Sequence, residues 1–178
     1  MAKMIDNKPS WEGEGKVWES LSANLPGDNV VYNQREVNGR EYDFCVMAEN
    51  LGLVIIEVKG WDPDKIDVRG VDNIIVDGYD EPQTSPKKQA RAYRFAILNK
   101  IVEKYNASPL VLDMVCYPFI TQEQYVRTKL DIVSEPEYTI FKEDIEDGKK
   151  LNEKIQHLFT LNKFIPHTDF SYDLMVRI

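Results

Sequence analysis

The residues best suited to chemistry lie in two neighbouring apolar segments, 42–47 and 53–59. In a hairpin that turns near Asn50, residues whose numbers sum to about 100 face each other, which places Asp43 opposite Glu57. Side chains two apart share a face of a strand, so Lys59 lies on the same face as Glu57. The spacing therefore predicts two carboxylates and one ammonium group at one end of an apolar hairpin.

Two carboxylates at close range repel each other unless a cation lies between them or one of them is protonated. Hard oxygen ligands suit Mg²⁺ or Mn²⁺, with water and a substrate phosphate completing the coordination. A nearby lysine can orient or activate an attacking water, or stabilise charge on a pentacoordinate phosphate. The alternative is a surface ion pair of Glu57 with Lys59 beside a solvated Asp43. Composition alone leaves both interpretations open.

A third acid, Glu14, lies in a helix predicted over Glu12 to Asn24. Val17, Trp18 and Leu21 follow it at helical spacing, so Glu14 shares the stripe that should face the sheet. A carboxylate in that position needs a partner or a metal. Alternatively, the helix dipole alone favours an acid in the first turn.

A basic helix is predicted to begin at Ser85-Pro86, an N-cap followed by proline, and to run to about Tyr105. The whole chain has a net charge of −8, which counts against a nucleic-acid partner, yet residues 84–105 carry six basic residues and one acid. Gln89 and Tyr93 share a face of this helix near the positive end of its dipole, where they can bind a phosphate or a metal-bound water. Four basic residues can contact flanking phosphates or form a solvated face: Lys87, Lys88, Arg91 and Arg94.

These side chains are positioned by elements in the order helix, three strands, helix, strand, helix, which is typical of an α/β domain. Strands are predicted over 29–37, 43–47, 53–59 and 110–116, a weaker edge hairpin over 67–68 and 73–76, and a last helix over 143–161 interrupted near Gly148. Cys45 and Cys116 are expected to be buried, reduced thiols. We expect a single cytoplasmic domain with no transmembrane helix or signal peptide.

Together these residues resemble the nuclease-related domain (NERD) family, a branch of the PD-(D/E)xK, restriction-endonuclease-like superfamily. The resemblance spans roughly residues 12–120, and Tyr42 occupies the position of the superfamily's proline before the catalytic Asp. The segment 116–120 and the acidic helix after it look like domains fused ahead of superfamily 1 helicases. The chain is therefore expected to be the amino-terminal piece of a longer protein. The matching residues are Gly13-Glu14, Val17, Leu21, Asp43, Glu57-Val58-Lys59-Gly60-Trp61, Ser85-Pro86 and Gln89-x-x-x-Tyr93.

The resemblance implies a mixed β-sheet flanked by helices and Mg²⁺- or Mn²⁺-dependent hydrolysis of DNA phosphodiesters in DNA processing or repair. It implies that Asp43 and Glu57 bind the metal, with Glu14 as a further ligand directly or through water. Lys59 would then position the nucleophilic water. Gln89 and Tyr93 would order the metal-side network or the scissile phosphate.

The expected organisation is a flexible amino terminus (1–11), a nuclease-like core (12–125) and a helical extension (126–178) that leads to a helicase domain. The alternative function is a non-catalytic DNA-binding or protein-docking module that serves a partner helicase. The expected partners are DNA and a helicase domain or subunit, and no membrane partner is expected.

Overall fold

Residues 1–178 are described by the computed structural model, which contains eight strands and six α-helices. The strands are β1 (Lys3–Met4), β2 (Asn29–Val37), β3 (Arg40–Ala48), β4 (Gly52–Val58), β5 (Ile66–Gly70), β6 (Asn73–Val76), β7 (Val111–Cys116) and β8 (Thr139–Ile140). The helices are α1 (Glu12–Asn24), α2 (Pro86–Tyr105), α3 (Gln122–Arg127), α4 (Lys142–Glu146), α5 (Gly148–Asn162) and α6 (Tyr172–Arg177).

A mixed six-stranded sheet with the strand order β1-β2-β3-β4-β7-β8 forms the centre of the domain. Strands β2, β3 and β4 form an antiparallel meander, and β7 then pairs with β4 in parallel. Helix α2 supplies the crossover that a parallel pair requires. The predicted α/β class, with its mixed sheet flanked by helices, is confirmed.

Both helices that carry candidate site residues have the predicted bounds because local signals define their ends. Helix α1 ends where the chain turns extended at Leu25, just before Pro26-Gly27. Helix α2 is capped by the Ser85 side chain, which accepts a hydrogen bond from the Lys88 backbone N–H at 3.2 Å. Its other end is a left-handed Asn106 with φ 49°.

The sheet is covered on both faces. Helices α1 and α5 pack on one face, against the side of β4 that carries Val54, Ile56 and Val58. Helix α2 packs on the other face, where Ile97 and Ile101 contact the side of β4 that carries Leu53 and Ile55. Since Glu57 follows Ile55 in the alternation, its side chain belongs to the α2 face. The two cysteines are buried and free, as predicted.

The chain ends differ from the expected organisation. Residues 1–11 were expected to be flexible, but Lys3–Met4 forms β1 beside β2, and Asp6 pairs with Arg35 at 2.8 Å. Residues 126–178 were expected to form an extension, but β8 joins the central sheet and α5 packs in the same core as α1. Two-residue strands have no periodicity that a sequence can reveal, which explains why β1 and β8 are absent from the predicted elements.

The weak hairpin forms as β5 and β6, but as a separate two-stranded sheet rather than at the edge of the central one. Its buried Ile74 and Val76 pack with Trp61, which follows β4, and with Tyr117, which follows β7. The hairpin therefore stands beside the end of β4 that carries Glu57. None of the six helices combines the length and apolar character needed to cross a membrane.

Candidate active site

Asp43 and Glu57 lie at the end of the β3–β4 pair. Phe44 is paired with Ile56 and Val46 with Val54, which is the predicted register, and one further step brings Asp43 level with Glu57. Asp43 Oδ2 accepts a hydrogen bond from the backbone N–H of Val58 at 2.7 Å. The Asp43 carboxylate is thereby fixed against the strand that carries Glu57.

Glu57 and Lys59 form a mostly buried ion pair. Lys59 Nζ is 3.0 Å from Glu57 Oε1, and the side chains are 19% and 7% exposed, respectively. The second carboxylate oxygen of Glu57, Oε2, is buried and has no hydrogen-bond partner. Because a buried charged oxygen without a partner is costly, this oxygen is poised to receive a further cation or donor.

Burial and nearby acids perturb the pKa values of both carboxyl groups. Burial raises the pKa of Asp43 to about 7, and the Glu57 charge adds to the rise. Burial also raises the pKa of Glu57, while the Lys59 ammonium opposes that rise. Near neutral pH one lysine is therefore insufficient to hold both carboxylates ionised, and the pair favours a proton or another cation.

This arrangement predicts a pH-dependent cost in the metal-free protein. Folded Asp43 keeps its proton up to about pH 7, whereas the unfolded chain releases it near the ordinary value of 3.8. The contribution to stability is thus full below about pH 3.8 and is lost progressively as the pH rises to about 7. Asp43→Asn is expected to remove the Asp43 part of that slope and to raise the free energy of unfolding at about pH 8 by up to roughly 4 kcal/mol. Urea unfolding in EDTA measures both effects, and a variant with the wild-type pH slope would contradict the assignment.

Helix α1 brings Glu14 to the same end of the sheet. The start of α1 lies close to the end of β4, since a Cβ added to Gly13 would be only 3.3 Å from the Cα of Gly60. Burial raises the pKa of Glu14, and the charge of Asp43 adds to the rise. Even so, Glu14, Asp43 and Glu57 do not form a cluster of three ligands for one metal, and no other three His, Cys, Asp or Glu residues do.

Gln34 is a neighbour of the site that the sequence did not reveal. Its side-chain Nε2 donates to Glu14 Oε2 at 2.9 Å. Its φ of 51° is left-handed in the middle of β2, at the position that faces Asp43 between the pairs Asn33–Phe44 and Arg35–Tyr42. A non-glycine residue in that region is uncommon. Nothing in the regular strand pattern around Gln34 signals this departure.

On the sheet face away from α1, which also carries the Glu57 side chain, α2 contributes Tyr93 and Gln89. Burial raises the pKa of Tyr93, and the charges of Glu57 and Asp43 add to the rise, so the hydroxyl is within electrostatic range of both carboxylates. Gln89 lies one turn earlier, and its Oε1 is buried without a hydrogen-bond partner. Both residues lie within α2 and are four positions apart, so they share one face of the helix as predicted.

Two of the four basic residues predicted to contact DNA form ion pairs with a buried acid. Lys87, only 7% exposed, places Nζ 2.9 Å from Asp113 Oδ2, and Arg94 reaches Asp113 Oδ1 at 3.1 Å. A buried charge requires such pairing, so the expectation for Lys87 is corrected, whereas the Arg94 side chain is 23% exposed and its DNA contact stays a prediction. Lys88 pairs with Asp72 at the surface, and Arg91 is exposed. Nothing in the sequence signals the role of Asp113, because it is a single acid within an apolar strand.

Comparison with known proteins matches the part of the chain that carries the candidate site. A profile of the nuclease-related domain family matches residues 9–118. A solved structure described as a repair endonuclease from Pyrococcus abyssi is 16% identical, with a TM-score of 0.39 over 76% of this chain and 48% of that chain. This chain thus spans about half the length of that endonuclease. No curated protein matches the sequence. Since the family profile covers more than half of the chain and includes every candidate catalytic residue, this chain belongs to the nuclease-related domain family.

Proposed function

We propose that this domain hydrolyses DNA phosphodiester bonds with a divalent metal held by Asp43 and Glu57. The observation that carries the proposal is the pair of half-buried Asp43 and buried Glu57, with one Glu57 oxygen unpartnered and the other paired with Lys59. Family membership supports a nuclease-like function. A carboxylate pair with an adjacent lysine is suited to phosphoryl chemistry because it can bind a cation and leave an ammonium beside the reacting phosphate.

The donor set fits Mg²⁺ or Mn²⁺. Magnesium sites commonly use one or two carboxylates and complete the coordination with waters and substrate phosphate. The Asp43–Glu57 pair meets that requirement, and Glu14 would contribute through water rather than as a third ligand of a cluster. When bound, the metal would neutralise charge on the phosphate and lower the pKa of a bound water.

The protein's own groups divide the remaining work. Lys59, anchored 3.0 Å from Glu57, orients the attacking water and stabilises the negative charge that develops on the phosphate. Tyr93 and Gln89 would hold the phosphate on the α2 side, where the buried, unpartnered Gln89 oxygen would accept a hydrogen bond from a water. Glu14, fixed by Gln34, holds a water at the α1 side.

Exposed Arg91 supplies a phosphate contact outside this centre, and Lys88 can supply another if it exchanges Asp72 for DNA. Phosphate contacts of this kind give affinity that falls with salt. The roles in DNA processing or repair, the fusion to a helicase and the cytoplasmic location stay predictions from the sequence.

Incubation of the purified domain with a panel of DNA forms tests the proposal. Supercoiled, linear duplex and single-stranded DNA are each supplied with Mg²⁺ or Mn²⁺, and matched reactions contain EDTA. We expect cleavage that requires the metal and stops with EDTA. DNA binding without cleavage of any form would overturn the proposal and favour the non-catalytic docking module.

A further inference from the structure

An aromatic cleft of about 470 Å³ opens beside Lys59 and Glu14. Four segments form it: the start of α1, the end of β4, the loop after β6 and the residue Phe119 after β7. Its volume is within the range of about 300–1,000 Å³ that is usual for small-ligand sites. Its walls carry four aromatic side chains: Trp11, Trp61, Tyr79 and Phe119.

Two of these aromatic side chains are exposed without a structural need. Trp11 is 74% and Tyr79 is 55% exposed, whereas Trp61 is buried. Trp11 precedes α1 at the N-cap and makes no side-chain capping bond. Ser, Thr, Asp or Asn would stabilise the helix better at that position. A large aromatic residue there therefore serves the cleft rather than the helix.

We propose that this cleft holds an unpaired base of the DNA strand whose phosphate lies at Lys59. The substrate would then be single-stranded DNA or a duplex with an unpaired segment. The inference rests on the proposed nuclease function and names its substrate class. Bases inside a duplex are stacked and paired, so only an unpaired base can offer its face to an aromatic side chain.

The charges around the cleft favour this orientation of the strand. Glu12 and Glu14 line the α1 side and repel phosphate, while Lys59 supplies the positive charge on the β4 side. Lys16 Nζ is 5.3 Å from the Phe119 ring centroid and provides a second cation near the aromatic wall. A negatively charged backbone is thus drawn toward the lysines, and the uncharged base is left to the aromatic walls.

Strand preference and two truncations test the inference. The wild-type domain is expected to cleave a single-stranded oligonucleotide faster than the same sequence as a blunt duplex. Trp11→Ala and Tyr79→Ala should each lower kcat/KM on the single strand roughly tenfold or more, because stacking on that side chain is lost. Both should leave cleavage of the blunt duplex nearly unchanged, and Trp11→Phe should retain most of the single-strand activity.

Phe164→Ala is the matched control, since Phe164 is 79% exposed and lies outside the cleft. Equal effects of Trp11→Ala on single-stranded and duplex DNA, or a wild-type preference for the blunt duplex, would overturn the inference while cleavage itself upholds the nuclease. If the wild type cleaves no DNA, the fluorescence anisotropy of a labelled single-stranded oligonucleotide in Ca²⁺ still tests whether the cleft binds single-stranded DNA. Weaker binding by both alanine variants than by Phe164→Ala would support the cleft, and equal binding would overturn it.

Discussion

Lys59→Ala and Asp43→Asn are each expected to reduce metal-dependent DNA cleavage roughly 100- to 1,000-fold or more, the cost of losing one preorganised stabilising group. Lys59→Ala removes the ammonium held beside Glu57. Asp43→Asn removes a metal ligand but keeps an oxygen that can accept from the Val58 N–H. The two losses should differ in calorimetry: Asp43→Asn loses Mg²⁺ binding, and Lys59→Ala retains it.

Controls from the same chain separate these effects from general changes in charge. Lys163→Ala and Asp169→Asn alter exposed residues of the same types and should leave cleavage unchanged. Asp43→Asn should also be more stable than the wild type in EDTA near pH 8, because it relieves the repulsion with Glu57. Activity lost together with stability gained is expected of a functional carboxylate and not of a structural one. Wild-type cleavage rates in both site variants would rule out the assignment.

The sequence predicts much of the fold because its signals are local. Proline after a serine cap defines the start of α2, and Asn38-Gly39, both with positive φ, close the β2–β3 turn. Strands β1 and β8 could not be predicted, because each has two residues and pairs with a distant segment. Their existence depends on tertiary pairing rather than on propensity.

The candidate site divides in the same way. The positions of Asp43 and Glu57 follow from hairpin register and period-two alternation, both of which can be read from neighbouring residues. The ion pairs of Lys87 and Arg94 could not be predicted, since their partner Asp113 lies across the crossover on β7. A net positive charge on a helix therefore does not by itself identify a DNA-binding face. Only the basic residues of α2 that reach the surface can contribute to one.

Asp113→Ala is expected to destabilise the domain by roughly 3–5 kcal/mol, the usual cost of removing one partner from a buried ion pair. Asp113 is 1% exposed, forms ion pairs with both Lys87 and Arg94, and accepts a hydrogen bond from Arg94. Lys87 Nζ keeps only the Asp113 backbone oxygen at 3.4 Å and the Tyr138 ring at 4.0 Å, and its pKa falls further once the carboxylate is gone. Such a loss is a large share of a total stability of about 5–15 kcal/mol.

Urea unfolding at neutral pH measures the loss. Asp67→Ala is the matched control, because it removes the partner of Arg69 in an exposed pair and should cost less than about 1 kcal/mol. The double variant Asp113→Leu with Lys87→Met should recover most of the loss by replacing the pair with apolar side chains. A cost for Asp113→Ala no larger than that of Asp67→Ala would show that Lys87 reaches water and remains available to DNA. If Asp113→Ala shows the large expected loss of stability, Lys87→Met should change DNA affinity less than Arg91→Ala does. Of these two residues, only Arg91 meets the phosphate backbone from the surface of α2.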